Sequence, residues 1–377
     1  MKALEELTKL VSDIENPAIR EWKEDGGKVV GLFCGYVPEE ILYAANILPY
    51  RIRGTGCTST AAADEHMFHQ SCSVARANLQ LILEGKYNFL DGIVFEKTCD
   101  PVRRLYDLVR VNKPTAFSFI HFLQVPHKCI DEAVDYYKGS LVEFKKSVEK
   151  SFGVEITEDS LRKAINVYNE TRTLLKKLYE LRQGDTPPIS GTECLNVLLA
   201  GMSMPKDKYN QLLRRLLSEL NERQGIADYR ARLIISGSGG CDDIESYQLI
   251  EKLGGLIVTD TLCFGSRYFW ESVETEGDLM LNLARSYIKR PACAKMTDRI
   301  IERHDFLEEM VKQFKVDGVI FQVIRHCQLW GGQLLVTRRK LDESNIPLLV
   351  LDREYPLTGV EQLKTRVEAF IETIGGV

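Results

Sequence analysis

Apolar and polar positions along this chain change their rhythm twice. In the first part, short apolar runs alternate with amphipathic stretches. Residues 28–33 are apolar and valine-rich, as expected of a strand buried on both faces. Val37-Pro38-Glu39-Glu40 then opens a helix, with proline at an early position and carboxylates near the positive helix end. Further strands are predicted at 48–53, 92–95 and 115–120, and a helix at 73–83 with Val74, Ala77 and Leu81 as its apolar positions. From about 151 to 228 the pattern becomes long, charged and amphipathic, with leucines at helical spacing over 161–181 and 206–223 and a break at Thr186-Pro187-Pro188. Short apolar runs then return at 233–236, 255–260, 319–324 and 348–351.

Strands that alternate with helices imply parallel sheets with helices on both faces. The expected fold is α/β, with two related lobes at residues 1–150 and 229–377, each a small parallel sheet flanked by helices, joined by a helical segment at 151–228. The two lobes echo one another. Asp91-Gly92-Ile93-Val94-Phe95 is matched by Asp317-Gly318-Val319-Ile320-Phe321. A cysteine follows each, Cys99 or Cys327. A helix comes next, and then Asn112-Lys113-Pro114 or Asn345-Ile346-Pro347 leads into the following strand. Duplication of one lobe explains the match and its surroundings together.

Composition narrows the function. The 377 residues are 44% hydrophobic and 27% charged, ordinary for a globular protein, with net charge −5 and a pI of about 5.8. An acidic balance gives no support for nucleic-acid binding, which needs a basic face. The longest apolar stretches, such as 195–202, are too short to span a bilayer, and the Met1-Lys2-Ala3-Leu4-Glu5-Glu6 start lacks the apolar core of a signal peptide. A cytoplasmic protein without membrane or nucleic-acid partners is expected.

Ten cysteines are many for such a protein, and in a reducing compartment they are expected to be thiols, metal ligands or redox groups rather than disulfides. Five of them, Cys34, Cys99, Cys241, Cys263 and Cys327, follow predicted strands. The carboxyl edge of an open parallel sheet is where ligands bind. Cys72 opens the helix at 73–83, where backbone N–H groups favour a thiolate. Cys99 in Thr98-Cys99-Asp100-Pro101 and Cys327 in Arg325-His326-Cys327-Gln328 have polar neighbours that apolar packing does not call for. Cys129 and Cys194 are placed on helical stretches and read, with Cys57, as buried structural thiols. There is no Cys-x-x-Cys for zinc, and His66 and His69 lack an evident third ligand. Ser236-Gly237-Ser238-Gly239-Gly240 lies between a strand and a helix, so Ser236, Gly237, Ser238 and Gly239 form either a phosphate cradle or a plain tight turn.

The residues from Val37 to Ala45, Cys72, the Thr98-Cys99-Asp100 turn, the run from Asp317 to Phe321 leading to Cys327, and the end from Gln362 to Phe370 resemble subunits of the 2-hydroxyacyl-CoA dehydratase and benzoyl-CoA reductase superfamily. The resemblance spans nearly the whole chain. It implies two lobes enclosing a [4Fe-4S] cluster held by Cys72, Cys99 and Cys327, an acyl-CoA substrate, a homologous second subunit that is identical or different, and an ATP-hydrolysing iron–sulfur activator. After Cys327 this chain reads Gln328-Leu329-Trp330-Gly331-Gly332, where the familiar dehydratase small subunits carry an acidic, proline-containing stretch. The added Cys34, Cys263 and Cys293 are similar to the double-cubane branch, in which one subunit holds an [8Fe-9S] cluster for small-molecule reduction. A non-catalytic scaffold subunit is the remaining alternative. Glu96 and His326 are candidates to move protons, and Arg325 to stabilise an anion.

Overall fold

The computed structural model describes residues 1–112, 117–240, 242–356 and 358–375. The chain begins α1 (Lys2–Lys9), α2 (Pro17–Glu24), β1 (Lys28–Leu32), α3 (Glu39–Ala44), β2 (Ile47–Arg51), α4 (Ala61–Asp64), α5 (Ser73–Leu83), β3 (Gly92–Glu96), α6 (Asp100–Asn112) and β4 (Phe119–Leu123). Four helices follow: α7 (Asp131–Phe152), α8 (Glu158–Glu180), α9 (Gly191–Gly201) and α10 (Lys206–Asn221). The rest is β5 (Ala231–Gly237), α11 (Ile244–Lys252), β6 (Gly255–Asp260), α12 (Ser266–Phe269), α13 (Leu279–Lys289), α14 (Ile300–Gln313), β7 (Gly318–Ile324), α15 (Gln328–Gly331), α16 (Leu334–Glu343), β8 (Leu348–Arg353) and α17 (Val360–Ile374).

The strands form two four-stranded sheets, ordered β2-β1-β3-β4 and β6-β5-β7-β8, with every pair parallel. The two orders are the same topology, and the echoed aspartates show why the echo matters. Asp91, just before β3, accepts from the Val29 N–H of β1 at 2.9 Å and returns its own N–H to the Val29 carbonyl at 2.8 Å. Asp317, just before β7, does the same with Arg232 of β5, at 2.7 and 2.8 Å. Each aspartate fixes the register of the central strand pair. β3 and β7 are buried along their full length, as the continuous apolar runs required.

Local signals set the helix limits. Thr157 caps α8 through the Ser160 N–H at 3.1 Å, so that helix starts before the leucine periodicity does. Ser190 and Glu193 close a capping box on α9. The strand expected at 115–120 is β4, Phe119–Leu123, because the Asp91 carbonyl takes the Ser118 N–H and sets Phe119 opposite Gly92; residues 113–116 lie outside the described residues. Cys129 is not helical as expected. α7 begins only at Asp131, with Asp131 and Glu132 at its positive end, and the Cys129 N–H is held by Asp298 at 2.7 Å. No described helix is long and apolar enough to cross a membrane.

The two sheets exchange helices. α1 packs its Ala3, Leu4 and Leu7 into the core around β5 and β6, and α13 packs Leu283, Ala284 and Ile288 into the core around β1 and α7. A buried polar network ties α3, α8 and α13 together. Glu40, fully buried, accepts from the Arg172 guanidinium and, at 2.6 Å, from the Tyr287 hydroxyl. Next to it Glu39 pairs with buried Lys206 at 3.3 Å and accepts from Tyr268 at 3.1 Å.

Two outcomes follow from this packing. Removing one partner of a buried pair leaves the other charge unpaired, so Glu40→Ala should cost about 3–5 kcal/mol by denaturant unfolding, whereas Glu143→Ala at the exposed Lys146 pair should cost under about 1 kcal/mol. His121 stands between Phe119 and Phe144 on β4, and burial lowers its imidazole from 6.5 to about 4. The unfolded chain binds that proton at a higher pH than the folded chain, so this contribution to stability is complete above about 6.5 and is lost as the pH falls toward about 4. Denaturant midpoints measured across that range should fall less steeply for His121→Leu than for the parent chain.

Candidate active site

Parallel strands deliver their carboxyl ends to one edge, and here the loops beyond those ends meet in a single cavity of about 180 Å³. Cys34 follows β1, Cys99 follows β3, Cys263 follows β6 and Cys327 follows β7. Cys72 is the N-cap of α5, and Cys293 lies in the turn between α13 and α14. All six line the cavity.

The thiols polarise one another in two groups. Cys327 donates to Cys72, which holds Cys72 below the ordinary thiol range and pushes Cys327 up. The nearby Cys99 adds to the rise at Cys327, while Cys99 itself is pushed up to about 12, chiefly by burial. On the other side, burial raises Cys34 to about 12, with Glu96, Cys263 and Cys293 adding to the rise and Arg51 opposing it. Charge on Cys34 is felt at Cys99, so the two triplets adjoin.

Cations crowd the Cys34 side. Arg51, at the end of β2, is 2% exposed, and its Nε and Nη1 have no hydrogen-bond partner among the described residues. A Cβ on Gly35 would sit 3.0 Å from the Arg51 guanidinium and 3.1 Å from that of Arg290, so the loop after β1 passes close between two cations. Arg290 and Lys295 lie against the Tyr36 ring, at 4.5 and 4.7 Å from its centre. Lys295 is fully buried, donates to the Lys97 carbonyl at 3.2 Å, and is lowered to about 8 by burial. Glu96 is the buried carboxyl among them. Burial pushes it up to about 8, against Arg51, Lys295 and the nearby Cys34 N–H, and neither oxygen has a partner in hydrogen-bonding geometry among the described residues.

These groups fit an anionic iron–sulfur cluster. Among the described residues no three His, Cys, Asp or Glu side chains close on one point as a single metal ion would require. The thiols instead border a shared space, and the unpaired N–H groups suit sulfur that carries negative charge.

Other candidates lie elsewhere. Arg325 is half exposed and pairs loosely with Asp352 at 3.7 Å and Glu354 at 3.6 Å, and His326 is exposed at φ 66°; neither lines the cavity. Ser236 and Gly237 end β5 rather than forming a loop. Ser236 accepts from Thr261 at 2.8 Å, and Ser238 is bonded to the Gln322 carbonyl and the Ile324 N–H, so these hydroxyls brace strand ends. Gly237 must be glycine, because a Cβ would lie 2.1 Å from the Gln322 oxygen; Gly239 lines the cavity. Cys57 donates to the Ser59 carbonyl and Cys194 accepts from Arg182, each at 3.1 Å, while Cys241 lies outside the described residues. A groove of about 690 Å³ beside Cys129 shares no lining residue with the cysteine cavity.

Cysteines from both sheets line one cavity, and sequence comparison finds a family for the chain. The profile of 2-hydroxyglutaryl-CoA dehydratase, D-component, fits residues 34–374. The chain belongs to that family. The D-component chain is 30% identical over 349 residues to one of the subunits of benzoyl-CoA reductase from Thauera aromatica, covering 90% of this chain and 89% of that one. It is 29% identical over 370 residues to the putative dehydratase subunit YjiM of Escherichia coli, covering 94% of each. It is 26% identical over 397 residues to the beta subunit of (R)-2-hydroxyglutaryl-CoA dehydratase of Acidaminococcus fermentans, covering 99% and 100%. This D-component chain is thus an enzyme chain of the dehydratase and benzoyl-CoA reductase type.

The sequence reading missed Arg51, Arg290 and Lys295. The available signal was Arg51 and Arg53 at the end of an otherwise apolar strand, where a charge has no reason to be unless something inside needs it. Arg51 lies over the Phe264 ring at 4.8 Å with Glu39 and Glu96 nearby to hold its charge, so Arg51→Met should lower the denaturant midpoint of the metal-free chain, corresponding to about 1 kcal/mol or more.

Proposed function

We propose that this chain is the iron–sulfur subunit of an activator-dependent enzyme that dehydrates 2-hydroxyacyl-CoA or reduces an aromatic acyl-CoA, with Cys72, Cys99 and Cys327 holding a [4Fe-4S] cluster. The observation that carries the reading is the convergence of these three thiols, from the start of α5 and the loops after β3 and β7, on one cavity flanked by buried cations. The cluster would supply electrons at low potential. The chain's residues supply the surroundings. Apolar walls such as Phe33, Phe264 and Trp330 limit water, and Lys295 with Arg290 offsets negative charge. Of the acid–base candidates we retain Glu96. Its carboxyl borders the cavity, and its raised affinity for a proton lets it hold one near neutral pH. Arg325 and His326, outside the cavity, have no part in this reading. The enzyme is completed by a homologous second subunit, as the alpha and beta chains of the Acidaminococcus relative suggest. An ATP-hydrolysing iron–sulfur activator would load the electron.

The second triplet favours a second reading. Cys34 feels charge on Cys263 and Cys293, Cys99 feels charge on Cys34, and Cys34 and Cys263 lie near the Arg51 guanidinium. Six thiols in two triplets are the ligand set of an [8Fe-9S] double cubane, which would turn the same cavity to reduction of small molecules.

Iron and acid-labile sulfide per chain after anaerobic purification separate the two. About four irons that survive Cys34→Ser support the single cluster; about eight that drop by half in Cys263→Ser support the double cubane. A folded anaerobic preparation without iron would sink both.

A further inference from the structure

We propose that Tyr355 is a gate between an open surface groove and the cysteine cavity, and that this groove admits small uncharged molecules to the cavity. The proposal takes its purpose, though not its geometry, from the reading of the cavity as a cluster site.

The groove holds about 490 Å³ and opens among Thr55, Cys57 and Thr58 of the first lobe and the start of α11 in the second. Gly54 and Asp242 line both the groove and the cavity, so the two voids meet at one wall. The ring of Tyr355 forms that wall. A Cβ on Gly54 would lie 2.3 Å from its Cε1, and one on Gly240 would lie 3.1 Å from its Cδ2; both glycines line the cavity. The ring thus rests between one bare backbone from each lobe. Its hydroxyl donates to Asp242 Oδ2 at 2.6 Å, and Thr55, across the seam, donates to the same oxygen at 2.9 Å.

The backbone of Tyr355 is fixed, and its ring, 6% exposed, packs with the hydrophobic core beside the first sheet. The Tyr355 N–H donates to Ser73 at 2.8 Å, beside Cys72, and the preceding Glu354 pairs with Arg76 at 3.1 Å. Side-chain rotation is therefore the motion left to open the wall. Neither glycine carries a side chain to block it.

Charge sets what passes. Asp242, Asp243 and Glu245 line the groove, and among the described residues no lysine or arginine does. Arg353 pairs with Asp243 at 2.7 Å without lining the groove. The groove therefore opposes anions, including the phosphates of a CoA nucleotide.

The test uses the full chain, anaerobically purified with its iron. The rate of iron loss is read with neutral 2,2′-bipyridine and with anionic EDTA. Bipyridine should act faster than EDTA on the parent chain. Tyr355→Phe, which deletes the hydrogen bond to a carboxylate and keeps the ring, should speed bipyridine about ten-fold. Thr55→Val, which removes the other donor without touching Tyr355, should shift the rate the same way. Thr58→Trp, which narrows the mouth, should slow it. Equal rates across these folded variants, or EDTA acting as fast as bipyridine, would overturn the gate while leaving the cluster reading intact. If the chain carries no iron, the cluster reading fails instead. Labelling of Cys99 with iodoacetamide against iodoacetate then decides the gate by the same ordering of variants and charges.

Discussion

A parallel sheet must place all its carboxyl ends along one edge, and everything distinctive about this chain depends on two such edges facing each other. One sheet alone would present its loops to solvent. Two of them, β2-β1-β3-β4 and β6-β5-β7-β8, border one cavity between their loops, with a largely apolar lining. Thiols far apart in sequence then become neighbours without any local motif. This is why the chain needs no Cys-x-x-Cys: the sheet topology performs the convergence that a short motif performs in a small metal domain.

Burial has an electrostatic consequence. Buried cations such as Arg51 and Lys295 are costly unless something offsets them. Glu96 offers one carboxyl, and burial keeps it near neutral, so the protein alone does not balance the site. In the helical region, Glu39 and Glu40 have their cations, Lys206 and Arg172, within reach. Beside the cavity, Arg51 lies over the Phe264 ring while its Nε and Nη1 have no hydrogen-bond partner among the described residues, which leaves donors for an anionic guest.

Much of this was legible in the sequence, for identifiable reasons. Apolar runs bounded by turns located seven strands closely, since strands buried on both faces leave an unbroken hydrophobic signature. β4 was placed less well because His121 and the exposed neighbours of its first residues dilute that signature. The repeated Asp-Gly stretch was readable because it does the same register-fixing work twice. Cys34, Cys99, Cys263 and Cys327 were placed by their position after strands, and Cys72 by its helix start. Arg51 and Lys295 were not legible, because their neighbours, Phe264 for the one and Tyr36 and the Lys97 carbonyl for the other, come from other parts of the chain. Cys129 was misplaced because its loop borrows a carboxylate from Asp298, far along the chain. Tyr355 is invisible for the same reason: Gly54, Asp242 and Ser73 give it meaning only in three dimensions.

The exchange of helices bears on how the chain comes to exist. The core around β1 and β4 is incomplete without α13, whose Leu283 and Ile288 arrive more than half a chain after β1. On the ribosome, the first sheet therefore waits, with its inner face open, until residues near 289 have emerged. Neither lobe can finish alone, and the cysteines of the first lobe remain unprotected through most of synthesis. On the proposed reading, a cluster would be inserted late, on an almost completed chain. A host that makes this protein needs to keep its thiols reduced for the whole duration of translation.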